Sequence, residues 1–169
     1  MLLGQLVRRA EDHRRLTALD TFGDDGTGRH LRAVVQGRDA NALVDFVAVA
    51  EAFSTGRLVP LLPAQPPPDL ATWKKRTQAS RRAGVDLTLF PGWSALMGFV
   101  DVRNALQHRL GRLTDMQLER HRTQTLAQIA ASGVDLNGDL LTVTGQDADR
   151  CYRTCAAFIR YLDERCPVR

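Results

Sequence analysis

The sequence predicts an all-α domain, a bundle of about five helices with at most one small β-hairpin near residues 134–143. Three observations predict it. Apolar residues recur at helical spacing through most of the chain, glycines and prolines separate those stretches, and a single pair of short apolar runs brackets a turn dipeptide, Asn137-Gly138. With 44% apolar and 25% charged residues over 169 positions, the chain can bury a core without disulfide or metal staples, so one domain over 1–169 is expected.

The first helix is expected over residues 2–19, where Leu3, Leu6, Val7, Ala10, Leu16 and Leu19 line one face among charges. A glycine-rich loop, Thr21 to Gly28, ends it. From about Asn41 to Ser54 the residues Leu43, Val44, Phe46, Val47, Val49, Ala50 and Phe53 are apolar almost all round, which predicts a buried helix closed at Gly56. Prolines at 60, 63, 66, 67 and 68 make 60–68 an extended connector. Asp69 is placed to cap a helix that runs to about Ala83 and stops at Gly84, carrying Trp73 within the basic run Lys74, Lys75, Arg76, Arg81 and Arg82. A helix from Trp93 to about Leu110, closed by Gly111, comes next. Thr114 and Gln117 have capping-box spacing for a helix over 115–132. Val134 to Leu136 and Leu140 to Val143 flank the hairpin turn, and Thr144 with Asp147 caps a last helix through Cys151, Cys155, Phe158, Ile159 and Leu162.

Composition narrows the function. The apolar N-terminal stretch is too short for a signal-peptide core and no run reaches the length of a spanning helix, so a cytoplasmic protein without a membrane partner is expected. Three cysteines without paired short spacing read as reduced thiols, Cys151 and Cys155 one turn apart in a buried seam. His13, His30, His108 and His121 are scattered without carboxylate or cysteine partners at ligand spacing, so no metal and no cofactor is expected, and the histidines other than His108 read as surface residues. A net charge of +4 favours a polyanionic partner modestly. The basic run on one helix reads first as a solvated face, with a phosphate-tracking surface at Lys74, Lys75 and Arg76 as the sharper alternative.

The helix starting at Trp93 carries the chemistry. At 100° per residue, Trp93, Leu96, Met97 and Val100 form one apolar stripe and Phe99, Val102, Leu106 and Leu110 another, leaving Ser94, Gly98, Asp101, Ala105 and Arg109 as a narrow solvent edge. The first stripe continues into Arg103, Asn104, Gln107 and His108, where the pattern calls for apolar side chains. Breaks of this kind cluster at functional sites. Asn104 and His108 share a face, whereas Arg103 and His108 are about 140° apart, so two copies of the helix packed face to face would join both motifs in one cleft.

Arg103, Asn104 and His108 match the Arg-polar-x-x-x-His signature, and the run Phe99 to His108 followed by Gly111 resembles the motif helix of HEPN domains, helical bundles that include many prokaryotic ribonucleases. The long apolar helix with Glu51, the proline connector and the last helix resemble that family too; the first thirty residues are not covered. The resemblance implies a metal-independent endoribonuclease, a toxin or defence component acting on RNA as a homodimer and held by an antitoxin or regulatory protein. In that setting RNA supplies its own 2′-hydroxyl nucleophile, His108 moves the proton, Arg103 clamps phosphate and Asn104 orients His108 or the RNA backbone. Gln107, Arg109 and Arg112 extend the anion site. The alternative is a non-catalytic HEPN-like module that binds RNA, a nucleotide or a partner protein. In a purely structural reading, Arg103 pairs with a carboxylate such as Glu51 and His108 caps the helix end.

Overall fold

The computed structural model describes residues 2–20, 28–63 and 69–166, and it is an all-α bundle with one two-stranded hairpin. The helices are α1 (Leu2–Asp20), α2 (Gly28–Leu58), α3 (Trp73–Arg82), α4 (Trp93–Arg109), α5 (Arg122–Ser132) and α6 (Gly145–Arg165). The strands β1 (Asp135–Asn137) and β2 (Leu140–Thr142) pair antiparallel with Asn137 opposite Leu140. Gly138, at φ 65°, occupies the first loop position, which type II′ hairpins reserve for glycine.

The core is built from two helix pairs, α2 against α6 and α4 against α5, with α1 lying on α2 and α6. Phe46, Phe99 and Phe158 are its largest fully buried side chains, and Leu6 and Ala10 bring α1 into the same core. Trp73, Phe90, Trp93, Phe158 and Tyr161 form a chain of edge-on and tilted ring contacts joining α3, α4 and α6. Such pairs add about 0.5–1.5 kcal/mol each beyond their burial. Cys151 and Cys155 are buried reduced thiols in α6, and burial pushes the Cys151 thiol up.

Several boundaries differ from expectation for identifiable reasons. The helix begins at Gly28 and runs through Gly56 to Leu58, because packing from Leu43 onward absorbs the roughly 1 kcal/mol that the internal Gly56 costs, and Leu58 is fully buried. Residues 21–27 of the expected glycine loop and 64–68 of the proline connector lie outside the described residues; Pro60 sits in a 3₁₀ turn, Val59–Leu61. Thr72, not Asp69, caps α3: its hydroxyl accepts the Lys75 backbone N–H, while Asp69 accepts from Ala71 N–H and Lys75 Nζ. Asp69 is held below the usual carboxylate range first by the Lys75 hydrogen bond.

The expected helix over 115–132 is interrupted. Thr114 and Gln117 do form their reciprocal cap, but Met116–Arg120 winds as a π-turn and His121, at φ −130° and ψ 18°, leaves helical geometry before α5 begins. The solvent edge expected on α4 holds at its ends, where Ser94 and Arg109 are exposed, and fails in its middle: Gly98 and Ala105 are buried, and a Cβ on Gly98 would lie 2.0 Å from the Gln128 carbonyl oxygen of α5. Glycine is required there for the close helix crossing. At the end of α4, Leu110 adopts the left-handed conformation (φ 53°) ahead of Gly111 (φ 89°), at a cost of about 1 kcal/mol, with its side chain 93% exposed. The cap of α6 forms as its sequence predicts, Thr144 and Asp147 bonding each other's backbone.

Candidate functional site

A groove of about 870 Å³ runs along one face of α4. Trp93, Met97, Asp101, Asn104 and His108 form its floor, one stripe at steps of four and three residues. One wall is α3, with Trp73, Lys74, Thr77, Gln78 and Arg81; the other is the π-turn and α5, with Met116, Gln117, His121, Gln124, Thr125 and Gln128. The end at Trp73, Trp93 and Met97 is aromatic and apolar, and cationic side chains, Lys74 and Arg81, stand along the α3 wall. Trp73 and Met97 are buried there, Trp93 is partly exposed, and Arg81 also pairs with Asp86 at 3.2 Å; a ring face beside positive charge is the arrangement on which single-stranded nucleic acids stack.

Of the three residues expected to act together, the structure brings Asn104 and His108 into this groove, with His108 exposed. Arg103 leaves α4 on the neighbouring face. Its Nη2 donates to Glu51 Oε1, and its Nη1 donates to Gln107 Oε1 at 3.2 Å. The same Glu51 oxygen accepts the Trp73 indole N–H at 2.8 Å, and the Arg76 guanidinium lies 3.8 Å from it and over the Trp73 ring. Trp73 is thus the partition between groove and ion cluster: the residue lines the groove while its N–H is tied to Glu51.

The cluster is unusual in charge. Two arginines share one carboxylate, and Arg76 and Arg103 each keep a buried Nε without a hydrogen-bond partner. Burial lowers the Arg76 pKa, an effect that Glu51 opposes and the Arg103 charge reinforces.

The other expected phosphate contacts are dispersed. Lys74 lines the groove, Lys75 is exposed and paired with Asp69, and Arg76 is buried in the Glu51 cluster and so offers no outer surface. Arg109 pairs with Asp115 at 2.8 Å and Arg112 with Asp139 at 2.6 Å, both at exposed positions where an ion pair contributes little and exchanges readily.

Two groove residues were not expected in the site: Asp101, and His121, which is exposed as expected of a surface residue. Asp101 falls on the face taken for solvent, yet it is half-buried beneath Gln117, whose Nε2 donates to its backbone oxygen at 3.0 Å and to Oδ1 at 3.3 Å. Burial raises the Asp101 carboxyl above the ordinary value of 3.8, while the Gln117 amide and the charge of His121 pull it back. The available signal was spacing: Asp101 continues Trp93 and Met97 at four-residue steps, and His121 stands four residues after Gln117. His13, also read as a surface residue, is nearly buried and pairs with Asp39 at 3.2 Å, remote from the groove in α1. The His30 side chain lies outside the described residues.

A raised carboxyl binds its proton more tightly folded than unfolded, so its stabilising contribution is complete below 3.8 and is lost as pH rises through the folded value. Asp101→Asn keeps an acceptor for Gln117 and removes the buried charge. The variant is expected to melt higher than the native chain at pH 7 and level with it near pH 3, as read by thermal denaturation at both pH values.

Among the described residues no three His, Cys, Asp or Glu side chains cluster to hold a metal, and no helix is long and apolar enough to cross a membrane. Compared with family models, with curated proteins and with solved structures, the chain matches none of them.

Proposed function

We propose that this chain is a metal-independent endoribonuclease of HEPN type that cuts single-stranded RNA. The observation that carries the reading is the groove itself: an imidazole, His108, and an amide, Asn104, stand in a trough with an indole end and a basic wall. An RNA strand brings its own nucleophile. The protein has only to move protons and hold the phosphate, at neutral pH, and an imidazole does the first without special tuning.

In this reading His108 takes the 2′-hydroxyl proton, Asn104 orients the imidazole or the scissile phosphate, and Lys74 and Arg81 hold neighbouring phosphates. Arg103 and His108 lie on different sides of α4, so the reading includes a homodimer in which the ends of two α4 helices meet around the exposed Leu110 and bring one copy's Arg103 toward the other's His108. The likeness of the α4 motif to HEPN ribonucleases is what supports a role as an RNA-cutting toxin or defence component held by a partner protein.

In EDTA, the purified protein is expected to shorten single-stranded RNA and leave DNA of the same sequence intact. One observation favours a second reading, a non-catalytic module: Arg103 is already neutralised by Glu51. That module would bind both strands without cutting either, and charge reversal at Lys74 and Arg81 would weaken binding and flatten its salt dependence by about one unit of slope per charge.

A further inference from the structure

The groove holds a second imidazole. His121 lines it from the wall beside the floor that carries His108, and it is placed by a local feature: Thr114 and Gln117 anchor the start of the segment, the π-turn adds its extra residue, and the chain breaks helical geometry at His121 itself. π-turns recur where a side chain is re-aimed at a functional site. Gln117, one helical turn earlier, is buried and pinned to Asp101, so the wall that carries His121 is fixed to the floor that carries His108.

The two imidazoles come from separate elements that are tied together. Gln117 holds the π-turn against Asp101, and His108 lies seven residues further along α4, roughly 10 Å of helix. A strand lying in the groove would run past both imidazoles, which line it together. The two also differ in surroundings. His121 lies near the Asp101 carboxylate, whereas His108 stands exposed on the last turn of α4. The remaining charged side chains on the groove are Lys74 and Arg81 from α3.

We infer that His121 is a second catalytic residue, the acid that protonates the leaving 5′-oxygen while His108 acts as base in the same subunit's groove. This rests on the ribonuclease reading. His108 accepts the proton of the 2′-hydroxyl, the 2′-oxygen bonds to phosphorus, and the bond from phosphorus to the 5′-oxygen breaks. His121 gives its proton to that oxygen. The products are a 2′,3′-cyclic phosphate and a 5′-hydroxyl, and exchange with water resets both imidazoles. No oxidant, reductant or further reactant enters. The phosphorane charge would fall between the two imidazoles, with the amide of Asn104 within the same trough.

The test compares two substrates with the full-length protein: ordinary single-stranded RNA, and the same RNA with sulfur replacing the bridging 5′-oxygen at one position, a leaving group that needs no acid. On ordinary RNA, His121→Ala is expected to lose about 100-fold or more in kcat with KM little changed, and to lose the high-pH limb of the rate profile. On the sulfur substrate it is expected to approach the native rate, whereas His108→Ala stays inactive on both. A structural role for His121 would not produce that rescue. If alanine at 121 prevents folding, His121→Gln carries the same comparison. Native protein that cuts RNA while His121→Ala cuts it equally well, or is not rescued by sulfur, overturns the assignment alone; native protein that cuts neither substrate overturns the ribonuclease reading and this assignment together.

Discussion

His108→Ala is expected to slow RNA cleavage roughly 10²- to 10⁴-fold while the protein melts at the native temperature. Both halves of this outcome come from the same geometry. The imidazole is exposed on the last turn of α4 and lines the groove, so its loss removes a proton-transfer group from the reacting centre and almost nothing from the core. Substitutions at such positions change stability by no more than about 0.5 kcal/mol. A gel-based cleavage rate and a thermal melt on the same preparation check it. A large drop in melting temperature would reassign His108 to capping the helix end.

The second large effect lies one layer behind the groove. Glu51→Ala is expected to destabilise the fold by about 3 kcal/mol, because truncating one side of a buried ion cluster strands the other. Two guanidiniums would be stranded here, Arg76 with a side chain 10% exposed and Arg103 with one 20% exposed, and the Trp73 N–H would lose its acceptor as well. For a chain of this length that corresponds to a melting temperature lower by about 6–12 °C. Glu51→Gln preserves an acceptor for Trp73 and loses the charge, so its melting temperature should fall between the native and alanine values. Since Trp73 is also a groove wall, both variants should weaken RNA binding even at temperatures where they stay folded.

The scale of the fold was legible because its signals are local and repeated. Helical spacing of Leu43 through Phe53, the paired caps Thr114 with Gln117 and Thr144 with Asp147, and the Asn137-Gly138 dipeptide each name an element without reference to its neighbours. What could not be read is whatever a neighbouring helix decides. Gly98 and Asp101 occupy the side of α4 that a single-helix projection assigns to water; α5 approaching across the missing Cβ of Gly98 buries the first, and Gln117 of the π-turn covers the second.

The same limit explains the site. Asn104 and His108 are four residues apart on one helix, and their shared face follows from the helix period alone. Arg103 is adjacent in sequence and turns the other way, toward a carboxylate 52 residues distant. Arg76 belongs to a basic run that reads as solvated, yet it points inward because Trp73 and Glu51 give its guanidinium a flat face and a counter-charge. His121 sits where a continuous helix is expected, and its position depends on a π-turn that periodicity does not announce.

The most direct measurement of the central claim is the mass of the fragments released when native protein meets a defined single-stranded RNA in EDTA. An imidazole-driven attack by the 2′-hydroxyl predicts upstream fragments ending in a 2′,3′-cyclic phosphate and downstream fragments beginning with a free 5′-hydroxyl. Intact RNA, or fragments carrying a 5′-phosphate and a 3′-hydroxyl, would contradict it.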